Sequence, residues 1–227
     1  MGAIFKKELK AYFLSPIAYI YIGIFLLTCS LFFYLDIFNY QSTDFANMFG
    51  SAATILTFIV PILTMRMFAE ERKNGTEQLL LTSPRSITSI VLGKFFATAC
   101  VVLISTILTL MYFAILMFFG QPHLLSSLVA ILGFSLLAIA YVSFGMFASS
   151  ITENQVIAAV ISIGVFMLLW FLPSMAPGLN DYSLMYSFYK SFMSGTIALR
   201  DLTLLLSFSA IFTIFTIMVI QRRKSVK

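Results

Sequence analysis

Long uncharged apolar runs, separated by short polar breaks, set the pattern of this chain. Six runs, at 17–35, 45–65, 95–119, 124–150, 156–172 and 202–220, are long enough to cross a membrane as helices. A hydrocarbon core of about 30 Å takes about 20 helical residues at about 1.5 Å each. Ser15-Pro16 introduces the first run, where proline fits the opening turn of a helix. Gly120-Gln121-Pro122-His123 divides the stretch between Lys94 and Glu153 into the third and fourth spans, and Thr152-Glu153-Asn154-Gln155 is the turn before the fifth. Pro61 lies inside the second and is expected to kink it or to end its regular hydrogen bonding. Before the first span, Ile4, Leu9, Tyr12 and Phe13 separate from Lys6, Lys7 and Lys10, which predicts an amphipathic helix at the interface; a solvated tail would leave those aromatics in water.

One stretch breaks the pattern. Residues 69–85, AEERKNGTEQLLLTSPR, carry five charged side chains before Pro84 and then a leucine triplet. Asn74 is placed to cap a helix that Glu77 would support three residues on, and Pro84 disfavours helical geometry at Ser83. A helix of about nine residues is marginal in water and needs a surface to dock on. Leu79, Leu80 and Leu81 would supply the apolar contact, and Glu77 and Gln78 the polar specificity. A solvated loop explains the charges but not the leucines. Just before this island, Arg66 is spaced to pair with Glu70 one helical turn on.

Between the fifth and sixth spans, residues 173–201 are too long for a simple connection. Leu184, Phe188 and Phe192 recur every four residues, consistent with a helix packed on the outer surface or dipping into the membrane. An interfacial aromatic belt, with Tyr182, Tyr186 and Tyr189, explains them equally well.

Composition makes lipid the solvent: 60% of residues are hydrophobic, 10% are charged, and the mean hydropathy is +1.00. The net charge of +5 is explained by its placement. Twelve lysines and arginines fall on the side of both termini and the island, against Lys190 and Arg200 on the other, which predicts cytoplasmic termini and excludes a nucleic-acid patch. The basic start lacks a small-residue cleavage pattern after the first run, so that run is expected to be retained, and Lys6 stands where a myristoylation motif needs Ser or Thr. Cys29 and Cys100 sit in apolar runs and read as small buried hydrophobes.

Candidate chemistry is sparse. His123 stands alone in a turn, no carboxylate falls within the six runs, and Gly93-Lys94 lacks the earlier glycine of a phosphate loop. An intramembrane enzyme therefore has no candidate residues, and an ion-coupled transporter lacks the usual marks of an ion path.

The island and its flanks resemble a known family. EERKNGTEQLLLTSP is similar to the cytoplasmic signature between the second and third spans of type-2 ABC exporter permeases. KKELKAYFLSPIAYIYIGIFLL, VPILTMRMFAEE and IVLGKFFA look most like the gliding-motility-associated permeases of the GldF type, and SFYKSFMSGTIALRDL resembles the outer helix before the last span. The resemblance covers essentially the whole chain. Ser187 departs from it, since many relatives have histidine there.

The resemblance implies an all-α integral membrane protein with a single permease domain. That domain would comprise an N-terminal interfacial helix at 1–16, a six-span core at 17–220 and a cytoplasmic tail at 221–227. A cytoplasmic coupling helix would lie between spans two and three, and an outer helical segment before span six. Such a chain would be a non-catalytic subunit in a bacterial cytoplasmic membrane, with ATP and magnesium held by a partner and no cofactor of its own. Its partners would be two cytoplasmic ATP-binding subunits, membrane lipid, and a second membrane subunit, either identical or a related permease of the GldG type. Carried onto this sequence, ATPase docking would use Gly75, Thr76, Glu77, Leu79, Leu80, Leu81 and Pro84, with Lys6, Lys7, Glu8 and Lys10 beside them. Export is the leading expectation; transmission of ATPase motion to an outer partner without moving a solute is the alternative.

Overall fold

The computed structural model describes residues 1–38, 45–78, 85–120, 122–175 and 177–226, and among them the chain is helical throughout, with no strand. Helix α1 (Gly2–Leu14) leads into α2 (Pro16–Phe38), and α3 (Phe45–Thr64) is followed by the short α4 (Ala69–Lys73). Then come α5 (Ile87–Leu108), α6 (Leu110–Phe119), α7 (Leu124–Ile151) and α8 (Gln155–Met175). A 3-10 turn (Pro177–Tyr182), α9 (Leu184–Ser187) and a π-helical turn (Phe188–Phe192) precede α10 (Leu199–Val226). Among the described residues, six helical segments are long and apolar enough to cross a membrane, one for each predicted run. The chain is a multi-pass membrane protein.

Helix α7 is the centre of the bundle, with α3, α5, α8, α10 and the π turn packed around it. Its Phe134 ring meets Phe25 of α2 at 5.7 Å, Phe49 of α3 at 4.9 Å and Phe188 of the π turn at 6.2 Å. About two helical turns toward the other end, Tyr141 stacks on Phe166 of α8 with ring centroids 3.9 Å apart. With lipid as apolar as leucine, such close packing rather than exclusion from water holds helices together. Hydroxyls add ties between helices: Tyr112 of α6 donates to the Leu26 carbonyl of α2 at 3.0 Å, and Tyr189 of the π turn donates to the Gly50 carbonyl of α3 at 2.6 Å. Cys29 and Cys100 are free thiols, the first of them buried.

Several boundaries differ from the sequence reading, for local reasons. The third span begins eight residues early, at Ile87, because the Ser86 hydroxyl caps it by accepting from the Ser89 amide at 3.3 Å. It also breaks at Thr109, whose hydroxyl donates to the Thr106 carbonyl at 2.6 Å and tightens the turn. Pro61 does not end α3, which runs on to Thr64; the chain leaves the helix over the next four residues. There the buried Ser149 hydroxyl of α7 replaces the missing helix bonds. It accepts from the Phe68 and Ala69 amides at 3.0 Å each and donates to the Met65 carbonyl at 2.9 Å.

The segment before α10 is helical, as expected, but it is packed into the bundle rather than forming an interfacial belt. Leu184, Phe188 and Phe192 are fully buried against protein. The Met193 amide reaches back five residues to the Phe188 carbonyl at 3.2 Å, and that wider turn aims Phe192 at Gly133 of α7, where an added Cβ would overlap the ring. Only glycine admits so close an approach. Of the predicted belt residues Tyr182 is the most exposed, with Tyr189 exposed to a lesser degree. Asp201, placed by the sequence outside the spans, lies in the first turn of α10 and is buried; its carboxylate accepts from the Ser191 hydroxyl. A carboxylate suits the positive end of a helix.

A charged cluster at one end of the bundle

Both chain termini, the end of α3, the start of α5 and the turn between α7 and α8 gather at one end of the bundle. Helix α1 lies along the start of α5, with Ile4 against Gly93 and the Tyr12 hydroxyl 2.9 Å from that of Thr98. Glu8 shares the face of Ile4 and Tyr12, since the three are spaced by one turn. Its carboxylate lies 3.1 Å from the ammonium of Lys94. Lys94 also reaches Glu71 of α4 at 2.8 Å and sits 5.4 Å from the centre of the Phe68 ring. The lysine side chain is only 3% exposed. One buried ammonium thus joins three helices, and two carboxylates share it.

A second group lies where α4 meets the ends of α7 and α10. Arg72 pairs with Glu153 at 2.8 Å and donates to the Ile151 carbonyl at 3.1 Å. Arg223 donates to Glu77 at 3.1 Å and to the carbonyls of Ser150 and, at 3.5 Å, Ile151. Arg66 holds Glu70 through both carboxylate oxygens, the pairing its spacing predicts. Between α1, α2 and α4 a cleft of about 300 Å³ opens, lined by Tyr12, Ser15, Met67 and the paired charges of Arg66, Glu70 and Lys94. At the opposite end the Asp181 carboxyl is held below its usual range by Arg200, 2.8 Å away, with Lys190 adding to the effect.

These contacts sort the predicted docking residues. Glu8, Thr76 and Glu77 belong to the cluster, the Thr76 hydroxyl donating to the Glu71 carbonyl at 3.2 Å. Gly75 is exposed with φ of 72°, and Lys7 is exposed with its ammonium 3.6 Å from Glu8. Lys6 and Lys10 point away from α5 into the surroundings. Leu79, Leu80, Leu81 and Pro84 lie outside the described residues. Asn74 does not begin the coupling helix: it closes α4, its amide donating to the Glu70 carbonyl at 3.0 Å, and Gly75 follows in the left-handed conformation that ends a helix. Asn-Gly here is a stop signal.

Sequence reasoning missed Lys94, Arg223, Arg72, Glu71 and Ser149. Counting from Ser86 as the cap places Lys94 two turns inside the third helix, where a charge requires a partner, but nothing near it in the sequence says which. Among the described residues no group of three or more His, Cys, Asp or Glu side chains is placed to hold a metal ion.

Six apolar helices, with residues 69–77 between the second and third bonded to the start of the third and to the end of the last, define a multi-pass membrane subunit. The family model for ABC-2 family transporter proteins matches residues 2–222, and the chain belongs to that family. A search of curated proteins returned no match. Membership makes the chain an ABC permease subunit and implies pairing with a separate ATP-binding subunit.

Proposed function

We propose that the chain is the permease of an ATP-driven exporter in the cytoplasmic membrane, with both termini inside and residues 69–85 as the docking segment for the ATP-binding subunit. One observation carries this reading: the first half of that segment is bonded to several separate parts of the membrane domain. Glu71 meets α5 and, through Lys94, α1; Arg72 meets the turn after α7; Glu77 meets α10. A force applied at residues 71–77 reaches the spans through these bonds. The assembly proposed is two membrane subunits, identical or related, over two ATP-binding subunits. The apolar face of α8 formed by Val156, Ile157, Val160 and Ile161 is exposed and available to lipid or to the second subunit. The finer likeness to gliding-motility permeases rests on sequence stretches alone, and the export reading does not depend on it.

Leu80→Asp tests docking. The leucine lies in a polar segment between spans, so the charge should leave membrane insertion intact. A charge in an apolar contact costs about 2–7 kcal/mol or more, enough to remove the ATP-binding subunit from a co-purified complex. Unchanged association would sink the docking claim. Orientation is checked separately: Lys73 is exposed and on the proposed inner side, so an impermeant amine reagent should label it only after cells are opened. Labelling in intact cells would invert the topology.

A further inference from the structure

Arg223 is the middle of three consecutive cations, with Arg222 and Lys224, that follow the last apolar run. Arg222 and Lys224 are exposed, as cations that merely stop a span should be. Arg223 instead turns inward onto acceptors from two other parts of the chain, the Glu77 carboxylate and the carbonyls of Ser150 and Ile151. Those carbonyls end the 28-residue α7, whose cap Thr152 is extended at φ −113° and ψ 156°. The last carbonyls of a helix have no amide of their own and carry partial negative charge. Arg72 of α4 approaches the same helix end, donating to Ile151 at 3.1 Å. Two guanidiniums therefore converge on one helix terminus, one from the docking segment and one from the last span.

We infer that Arg223 is a positioning residue that joins the docking segment to spans four and six, so that movement at residue 77 is carried to both at once. The transmission role rests on the proposed function above; the clamp itself does not. Chemistry separates the clamp from a topological role. A stop-transfer cation acts through charge, so lysine at 223 would serve and Arg222 and Lys224 would matter equally. The clamp needs a rigid fork that reaches separate acceptors from one position, and lysine offers a single point charge.

The test uses the full chain with C29S and C100S, in liposomes, with spin labels at Q78C and V156C, and reads their separation by pulsed electron resonance. The expected result is one narrow distribution that is kept in R222M/K224M, broadened in R223M and only partly restored in R223K. Equal widths in R223M and the parent, or equal broadening in R222M/K224M, would overturn the clamp. A second label pair, L125C and L199C, reads the opposite ends of α7 and α10 in the complex with the ATP-binding subunit. Vanadate trapping after ATP hydrolysis should shift that distance in the parent. R223M should lose the shift while hydrolysis continues; a retained shift would overturn the transmission role. If no ATP-binding subunit associates with the parent chain, the docking reading fails instead, and the first label pair still decides the clamp.

Discussion

Lys94→Met is expected to destabilise the chain by about 3–5 kcal/mol, the cost of removing one partner from a buried ion pair. Methionine nearly matches the lysine stem in volume, so the change removes charge and little packing. It leaves Glu8 and Glu71 facing one another without the ammonium that both approach, at 3.1 and 2.8 Å. It also removes the cation from the Phe68 ring. The carboxylates are partly open to solvent, at 15% and 18% exposure, which places the effect toward the lower part of that range. Thermal unfolding of the purified chain in mild detergent measures it. The informative comparison is Lys94→Met with Glu8→Gln and Glu71→Gln together: neutralising the whole group removes the unpaired charges, and much of the lost stability should return. A single Lys94→Met variant with unchanged stability would show that the ammonium joins nothing.

This lysine also shows where sequence reading stops. Charge placement located the spans because a charge within hydrocarbon is costly, and that penalty acts on each residue separately, but at Lys94 it set the start of the third span eight residues late. All six spans were therefore legible, as were the amphipathic α1 and the pairing of Arg66 with Glu70, which needs only local spacing. Lys94 looked like a flanking charge because its two carboxylates come from helices 23 and 86 residues away. Arg223 looked like a terminal anchor for the same reason, its partner Glu77 lying 146 residues earlier. Asn74 was misread because Asn-Gly can start a helix or end one, and only the φ of Gly75 decides. The docking candidates divide likewise. Glu8 and Glu77 gain a physical role from their partners, whereas Lys6 and Lys10 keep only the role the family resemblance assigns them.

Phe192→Ala is expected to cost about 3–5 kcal/mol, as for other fully buried aromatic rings. Were this residue part of an interfacial belt, the same change would trim a ring in contact with lipid and headgroups, and the fold would scarcely notice. Tyr182→Ala supplies that comparison within the same segment, since its ring is mostly exposed. The two readings thus predict opposite orders of effect for two aromatics ten residues apart. Gly133 sharpens the test, because a side chain there would overlap the Phe192 ring. Gly133→Ala alone should cost about 1–3 kcal/mol by overpacking. With Phe192 already cut to alanine, the added methyl enters the vacated space, so the double variant should be more stable than the sum of the single costs allows, by a coupling of about 0.5–3 kcal/mol. Strict additivity would mean that the ring does not rest on Gly133. Coupling of that size would make the segment before α10 part of the bundle's core, fixed to α7 at one end as residues 69–77 are fixed to α7 at the other.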